Sequence, residues 1–134
     1  MRESKKIDGY RQELLRKNIE PKRKPLKDKE EAVKVLEEKL RKDGQTLSAN
    51  ERRSTEEKLA TEVKELKRLR EDVEIEIQKT ERELIQKSFR DIGGVINKIA
   101  ESEGYTVIFE RTGAGIAYFK DFHDITGKII NQLQ

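Results

Sequence analysis

Covalent catalysis needs a nucleophile within reach of a base, and this chain offers little of either. His123 is the only histidine, cysteine is absent, and no candidate nucleophile is spaced to suit the imidazole. His123 therefore reads as a surface or interface side chain. Gly113-Ala114-Gly115 has the opening of a dinucleotide-binding loop, but it falls between two strand-like runs without the third glycine or the following helix, so it reads as a tight turn. No Walker-type phosphate loop occurs. The expectation is no catalytic residue, no cofactor and no metal site, with disulfides and thiol chemistry excluded. An enzyme is the least supported class, and any work on a partner proceeds by contact, without ATP hydrolysis by this chain.

The residues that remain to make contacts are charges and a thin apolar stripe. Hydrophobic residues are 33% of the chain and charged ones 43%, too little filler for a closed single-chain core. The apolar residues recur in phase, which favours a coiled coil over disorder. Net charge is only +3, yet the first 58 residues hold 18 of the 30 basic and 13 of the 27 acidic side chains. That excess suits an anionic partner, although interleaved charges on helices more often form a solubilising face. No window approaches the length of an apolar membrane span, and Met1-Arg2-Glu3-Ser4 has no signal-peptide core, so the chain reads as soluble and without an export address.

Two long helices position these groups. Residues 3 to about 43 carry Ile7, Tyr10, Leu14, Leu26, Val33, Leu36 and Leu40 on one face, with a kink or short break expected over Asn18–Leu26 because Pro21 and Pro25 remove amide donors. Asp43-Gly44 supplies a stop in which the glycine takes the left-handed conformation, and Ser48-x-x-Glu51 forms a capping box for the next helix. That helix, from Ser48 to about Ala100, places Leu59, Val63, Leu66, Val73, Ile77 and Leu84 on a heptad seam. A short connection makes the two helices antiparallel. Arg41, Lys42, Arg52 and Arg53 surround the tip near 44–48 and are the candidates for an anionic partner. Ile85, Phe89, Ile92, Ile96 and Ile99 continue in a shifted phase, interrupted by Gly93-Gly94, which suggests a close backbone approach or a local bend.

After Ser102-Glu103-Gly104 the period becomes 2. Tyr105–Phe109 and Ile116–Phe119 read as two strands around the turn Thr112-Gly113-Ala114-Gly115, and Asp124 caps a last helix over 124–133 with Ile125, Ile129, Ile130 and Leu133 on its apolar face. A lone hairpin is marginal in water, so further strands must come from this chain or from copies of it. The fold class is mostly α with a small β part: a long antiparallel helical hairpin, or coiled-coil arm, with a C-terminal β-hairpin (105–119) and short helix forming an oligomeric body. The expected division is an arm over 20–84 and an assembly body from 1–19 and 85–134.

The order of helical hairpin, strand, turn, strand and terminal helix, with Gly44-Gln45-Thr46-Leu47-Ser48 at the tip, Glu103-Gly104-Tyr105-Thr106-Val107-Ile108 entering the sheet, and Tyr118 followed by Asp124-Ile125-Thr126, resembles the Skp (OmpH-like) family of periplasmic chaperones. The resemblance implies a homotrimer whose β body holds three helical arms around a cavity for unfolded outer-membrane proteins, in the periplasm, with affinity for anionic lipid surfaces. By position it makes Tyr105, Val107, Ile108, Phe109, Ile116 and Tyr118 the oligomerisation residues. Family members usually begin with a signal peptide and a short apolar strand, and this sequence starts just past both. No small-molecule substrate is expected. The alternative reading is a basic coiled coil that binds nucleic acid or anionic membranes; the lack of aromatic residues between Leu26 and Asp72 counts against single-strand recognition.

Overall fold

The computed structural model describes residues 4–134. The chain is mostly helical: α1 (Lys5–Leu14), a wide turn (Leu15–Ile19), α2 (Glu20–Asp43), α3 (Ala49–Glu103), a short 3-10 turn (Asp121–His123) and α4 (Thr126–Gln132). Residues 1–3, which include the start of the expected first helix and the segment read for a signal peptide, lie outside the described part. No described helix is long and apolar enough to cross a membrane. The chain divides into two compact units, one formed by Leu14–Thr80 and the other by the residues up to Glu13 with Glu81–Gln134.

Leu14–Thr80 is an antiparallel helical hairpin. The prolines do not break its first helix: α2 runs through both, with Pro21 in its first turn and Pro25 inside it. The irregularity falls earlier, at Leu15–Ile19, where the Glu20 amide bonds back five residues to the Leu15 carbonyl. A proline ring at 21 would crowd the Lys17 carbonyl in a regular helix, and the wider turn relieves that clash.

At the tip, Gly44 corrects a second expectation. Its φ of −58° is right-handed. Glycine is needed there for space, because an added Cβ would collide with the Leu40 carbonyl oxygen. The Gly44 amide donates to that same carbonyl at 3.1 Å, and Thr46 and Leu47 donate to Asp43 O at 2.9 and 3.0 Å, which closes the turn. The capping box is formed reciprocally: Ser48 N–H donates to Glu51 Oε2 at 3.0 Å, and Glu51 N–H donates to Ser48 Oγ at 3.2 Å.

The seam between the two helices is shifted from the expected phase. Its buried and half-buried positions include Ile19 at the end of the wide turn and Leu26, Lys29, Val33, Leu36 and Leu40 on α2, with Thr55, Leu59, Glu62, Leu66, Leu69, Val73, Glu76 and Thr80 on α3. Leu59, Leu66 and Val73 belong to both versions. Val63 and Ile77, however, lie on the flank, 44% and 40% exposed, while Leu66 is 7% exposed. The reason lies between them. A heptad holding 63 and 77 would centre Arg70, whereas the observed one centres Leu69 and leaves Arg70 on the flank, 3.0 Å from Glu30.

The other unit gathers α1, the end of α3, the stretch after it and α4. Gly104, at φ +73°, ends α3, and the Tyr105 amide bonds back to Ala100 O at 3.0 Å as in a Schellman motif. Ile99, Ile125 and Leu133 are buried here, with Ser4 Oγ donating to the Leu133 carbonyl at 3.0 Å. Asp124 accepts the Thr126 amide at 3.0 Å, so its carboxylate serves the start of α4 although Ile125 is the residue that precedes the helix. Residues 105–119 form no strand, and no strand is present among the described residues.

Candidate functional site

The run expected to form strands is irregular backbone with a turn over residues 111–115. Ala114 N–H donates to Glu110 O at 3.1 Å, Gly115 takes φ +63°, and the Arg111 guanidinium stands 4.7 Å from the centre of the Phe119 ring across the reversal. No backbone hydrogen bond links the two limbs among the described residues. Their side chains are correspondingly uncovered: Phe109 is 67% and Tyr118 79% exposed, with Tyr105, Val107 and Ile116 exposed and Ile108 half-buried. Exposed apolar side chains and backbone without a ladder on one short segment are features that favour association.

The scaffold beneath it is tied by a polar cluster between α1 and α3. Tyr10 Oη donates to Asp91 Oδ2 at 2.6 Å, Lys6 Nζ lies 3.3 Å from the same oxygen, and Lys87 Nζ sits 3.8 Å from the Tyr10 ring centre. The Tyr10 hydrogen bond, with Lys6 beside it, holds the Asp91 carboxyl below its ordinary range, and bonding to Asp91 raises both Tyr10 and Lys6. Lys128 grips Glu103 at 2.9 Å to both carboxylate oxygens, fastening α4 to the end of α3.

In the hairpin the charges are arranged differently. Lys29 occupies a seam position between Glu62 at 2.7 Å and Glu65 at 2.5 Å. Hydrogen bonds to Glu62 and then Glu65 raise its pKa, and its bond to Glu65 lowers that carboxyl. Asn18, in the wide turn, donates to the buried Thr80 hydroxyl at 3.1 Å. These polar layers fix register while thinning the apolar seam.

The four basic residues expected at the tip are all exposed, but two are engaged along their own helix, Arg52 with Glu56 at 3.8 Å and Arg53 with Glu57 at 3.1 Å. Arg41 and Lys42 have no acidic partner among the described residues. A longer unpaired basic run lies on α2 and the turn before it: Arg16, Lys17, Lys22, Lys24 and Lys27 make no ion pair among the described residues. His123 is exposed and lies against Phe122, ring centres 4.0 Å apart.

Sequence reasoning missed the Lys29 layer, although the three-and-four spacing of 26, 29, 33, 36 and 40 contains it. It also missed the Tyr10–Asp91 tie, which joins positions far apart in the chain and leaves no local mark.

A charged antiparallel hairpin together with a small unit that leaves apolar side chains exposed is the architecture of a coiled-coil protein. The family model of outer membrane proteins (OmpH-like) matches residues 1–133, and the chain belongs to this family, the Skp/OmpH family. Its members are chaperones and not enzymes. Comparison with curated proteins and with solved structures gave no match.

Proposed function

We propose that this protein is an ATP-independent holdase that binds unfolded outer-membrane proteins in the periplasm, working as a homotrimer whose helical hairpins enclose the client. The observation that carries the proposal is the 105–119 segment: β-forming side chains, most of them exposed, on irregular backbone that finds no strand partner among the described residues. Strands from other copies would supply one, and the β-hairpin then forms on assembly. Tyr105, Val107, Ile108, Phe109, Ile116 and Tyr118 are its contact residues.

The hairpin suits the holding role. Its charged surface stays in water while Val35, Val63, Ile75 and Ile77, all exposed and off the seam, offer scattered aliphatic contacts. Several weak contacts from three copies raise the effective concentration around one client, and each stays reversible, so release needs no fuel. The test is dilution of a denatured β-barrel membrane protein into buffer with and without this protein, followed by light scattering, alongside sedimentation. Suppressed scattering by a trimer is expected. A strictly monomeric species that leaves scattering unchanged refutes the proposal.

A second reading has its own observation: Arg16, Lys17, Lys22, Lys24 and Lys27, with Arg41 and Lys42, make no ion pair among the described residues, although Arg23 among them pairs with Glu20 at 3.2 Å. It supports binding to anionic lipid or nucleic acid, and it predicts affinity that falls steeply with salt and needs no unfolded client.

A further inference from the structure

The seam of the Leu14–Thr80 hairpin is unevenly filled. Towards the tip it is chiefly aliphatic, with Val33, Leu36 and Leu40 on α2 and Leu59 and Leu66 on α3. Between the Lys29–Glu62 contact and the Asn18–Thr80 hydrogen bond, by contrast, Ile19, Leu26, Leu69 and Val73 share the seam with half-buried Lys22 and Glu76. Neither Lys22 nor Glu76 makes an ion pair or a side-chain hydrogen bond among the described residues, so two partly dehydrated charges stand there uncompensated. The backbone of the same stretch has defects of its own. Pro25, inside α2, has no amide to give the Pro21 carbonyl, and the wide turn Leu15–Ile19 comes immediately before α2. A helix pair separates first where its apolar filling and its ladder are thinnest. Separation here returns Lys22 and Glu76 to water, which offsets part of the cost of uncovering four aliphatic side chains.

What an open seam takes follows from what it uncovers. The charges need no new cover, because water provides it, and only the aliphatic side chains do. A folded partner keeps most of its large apolar side chains inside, whereas an unfolded chain carries them on a backbone free to follow a narrow stripe. The surrounding charge suits the same occupant. Lys24 and Lys27 flank Leu26, Asp72 and Glu74 flank Val73, and none of these four makes an ion pair among the described residues. Apolar client segments with acidic neighbours are thus matched to the α2 limb, and those with basic neighbours to the α3 limb.

We propose that the hairpin opens over residues 19–29 and 69–80 while its tip half stays paired, and that the uncovered Ile19, Leu26, Leu69 and Val73 bind apolar segments of an unfolded client. The wide turn and Pro25 are where α2 bends away from α3. The proposal rests on the holdase reading above and names the part of the hairpin that grips the client.

The chain has no cysteine, so single substitutions in the full-length protein report accessibility directly. Thiol labelling of Leu26→Cys and Val73→Cys is expected to run about ten times as fast as that of Leu36→Cys and Leu59→Cys, which occupy equally half-buried seam positions in the tip half. Lys22→Leu combined with Glu76→Leu fills the seam. Those two changes should raise the melting temperature, bring the Leu26→Cys rate down to that of Leu36→Cys, and weaken several-fold the suppression of light scattering from a diluted, denatured β-barrel membrane protein. Equal labelling at all four positions, or labelling that the two leucines do not slow, refutes the opening. Slowed labelling with scattering suppressed as by the parent refutes the client's use of the seam. Each of these results leaves the holdase reading standing on the parent's own activity. A parent that suppresses no scattering removes that reading and the proposal together.

Discussion

Lys29 stands where a coiled coil usually places an aliphatic side chain, and it is held there by two carboxylates. Removing it alone leaves the shielded Glu62 oxygen without its counter-charge and beside the like charge of Glu65. Lys29→Met should therefore lower the melting temperature of the chain, whereas Lys29→Met with Glu62→Leu should raise it above the parent, since a well-packed apolar pair usually outperforms a buried ionic one. Thermal circular dichroism of the three proteins checks both signs. The pH dependence follows from the same kind of contact. Glu51, Glu65, Asp91 and Asp124 are held below their ordinary range, by Ser48, Lys29, Tyr10 and Thr126 respectively. Each stabilises the fold above its unfolded value near 4 and loses that contribution as pH falls through the lower folded value. Lys6, Lys29 and Lys128 are raised, so theirs is present below about 10.4 and lost as pH rises through the folded value. Melting temperature should be nearly flat from about pH 5 to 9 and fall on either side. A decline centred near neutrality would contradict these assignments.

The helices are stabilised by few large side chains, so single truncations weigh heavily. Leu66 is among the most buried seam residues, and Leu66→Ala should cost about 2–5 kcal/mol in denaturant unfolding. Val63→Ala, three residues earlier and on the flank at 44% exposure, should cost far less. Equal losses would restore the seam phase expected from composition. Ser48→Ala should cost roughly 1 kcal/mol through the lost cap. These cases also mark what could be read from the sequence. The capping box was legible because its partners lie three residues apart and need no tertiary context. The hairpin was legible because Gly44 to Ser48 leaves room only for an antiparallel return. The seam phase was half legible: the seven-residue spacing chose Val63 and Ile77, but the helices settle with Leu69 in the seam and Arg70 on the flank beside Glu30. Gly44 was identified for the wrong reason, since a carbonyl one turn back constrains it and φ does not. The exposed face of α3 was illegible because Ile85 and Phe89, 52% and 69% exposed, look like core residues until their surroundings are seen.

At the scale of the whole molecule, the β-forming segment has no ladder among the described residues, and the proposed assembly is what would give its amides and aromatic rings partners. In the proposed assembly the two tasks, association and solubility, fall to different parts of the sequence: the apolar side chains of 105–119, exposed in the single chain apart from the half-buried Ile108 and Phe119, would associate, and the charged hairpin would stay hydrated. That division makes a prediction about location. Ile108→Asp places a carboxylate in a segment that must be desolvated to pair, with a penalty far larger than one interface contact returns, so it should abolish the trimer. Arg52→Glu reverses a charge at the hairpin tip, where the arginine contacts only Glu56 at 3.8 Å and both side chains are more than half exposed. Exposed pairs of this kind contribute little, so the trimer should persist. Sedimentation velocity of both variants beside the parent decides the matter. Dissociation of Arg52→Glu to the same extent as Ile108→Asp would move the assembly contacts to the helical hairpin, leaving the exposed segment at 105–119 available for clients.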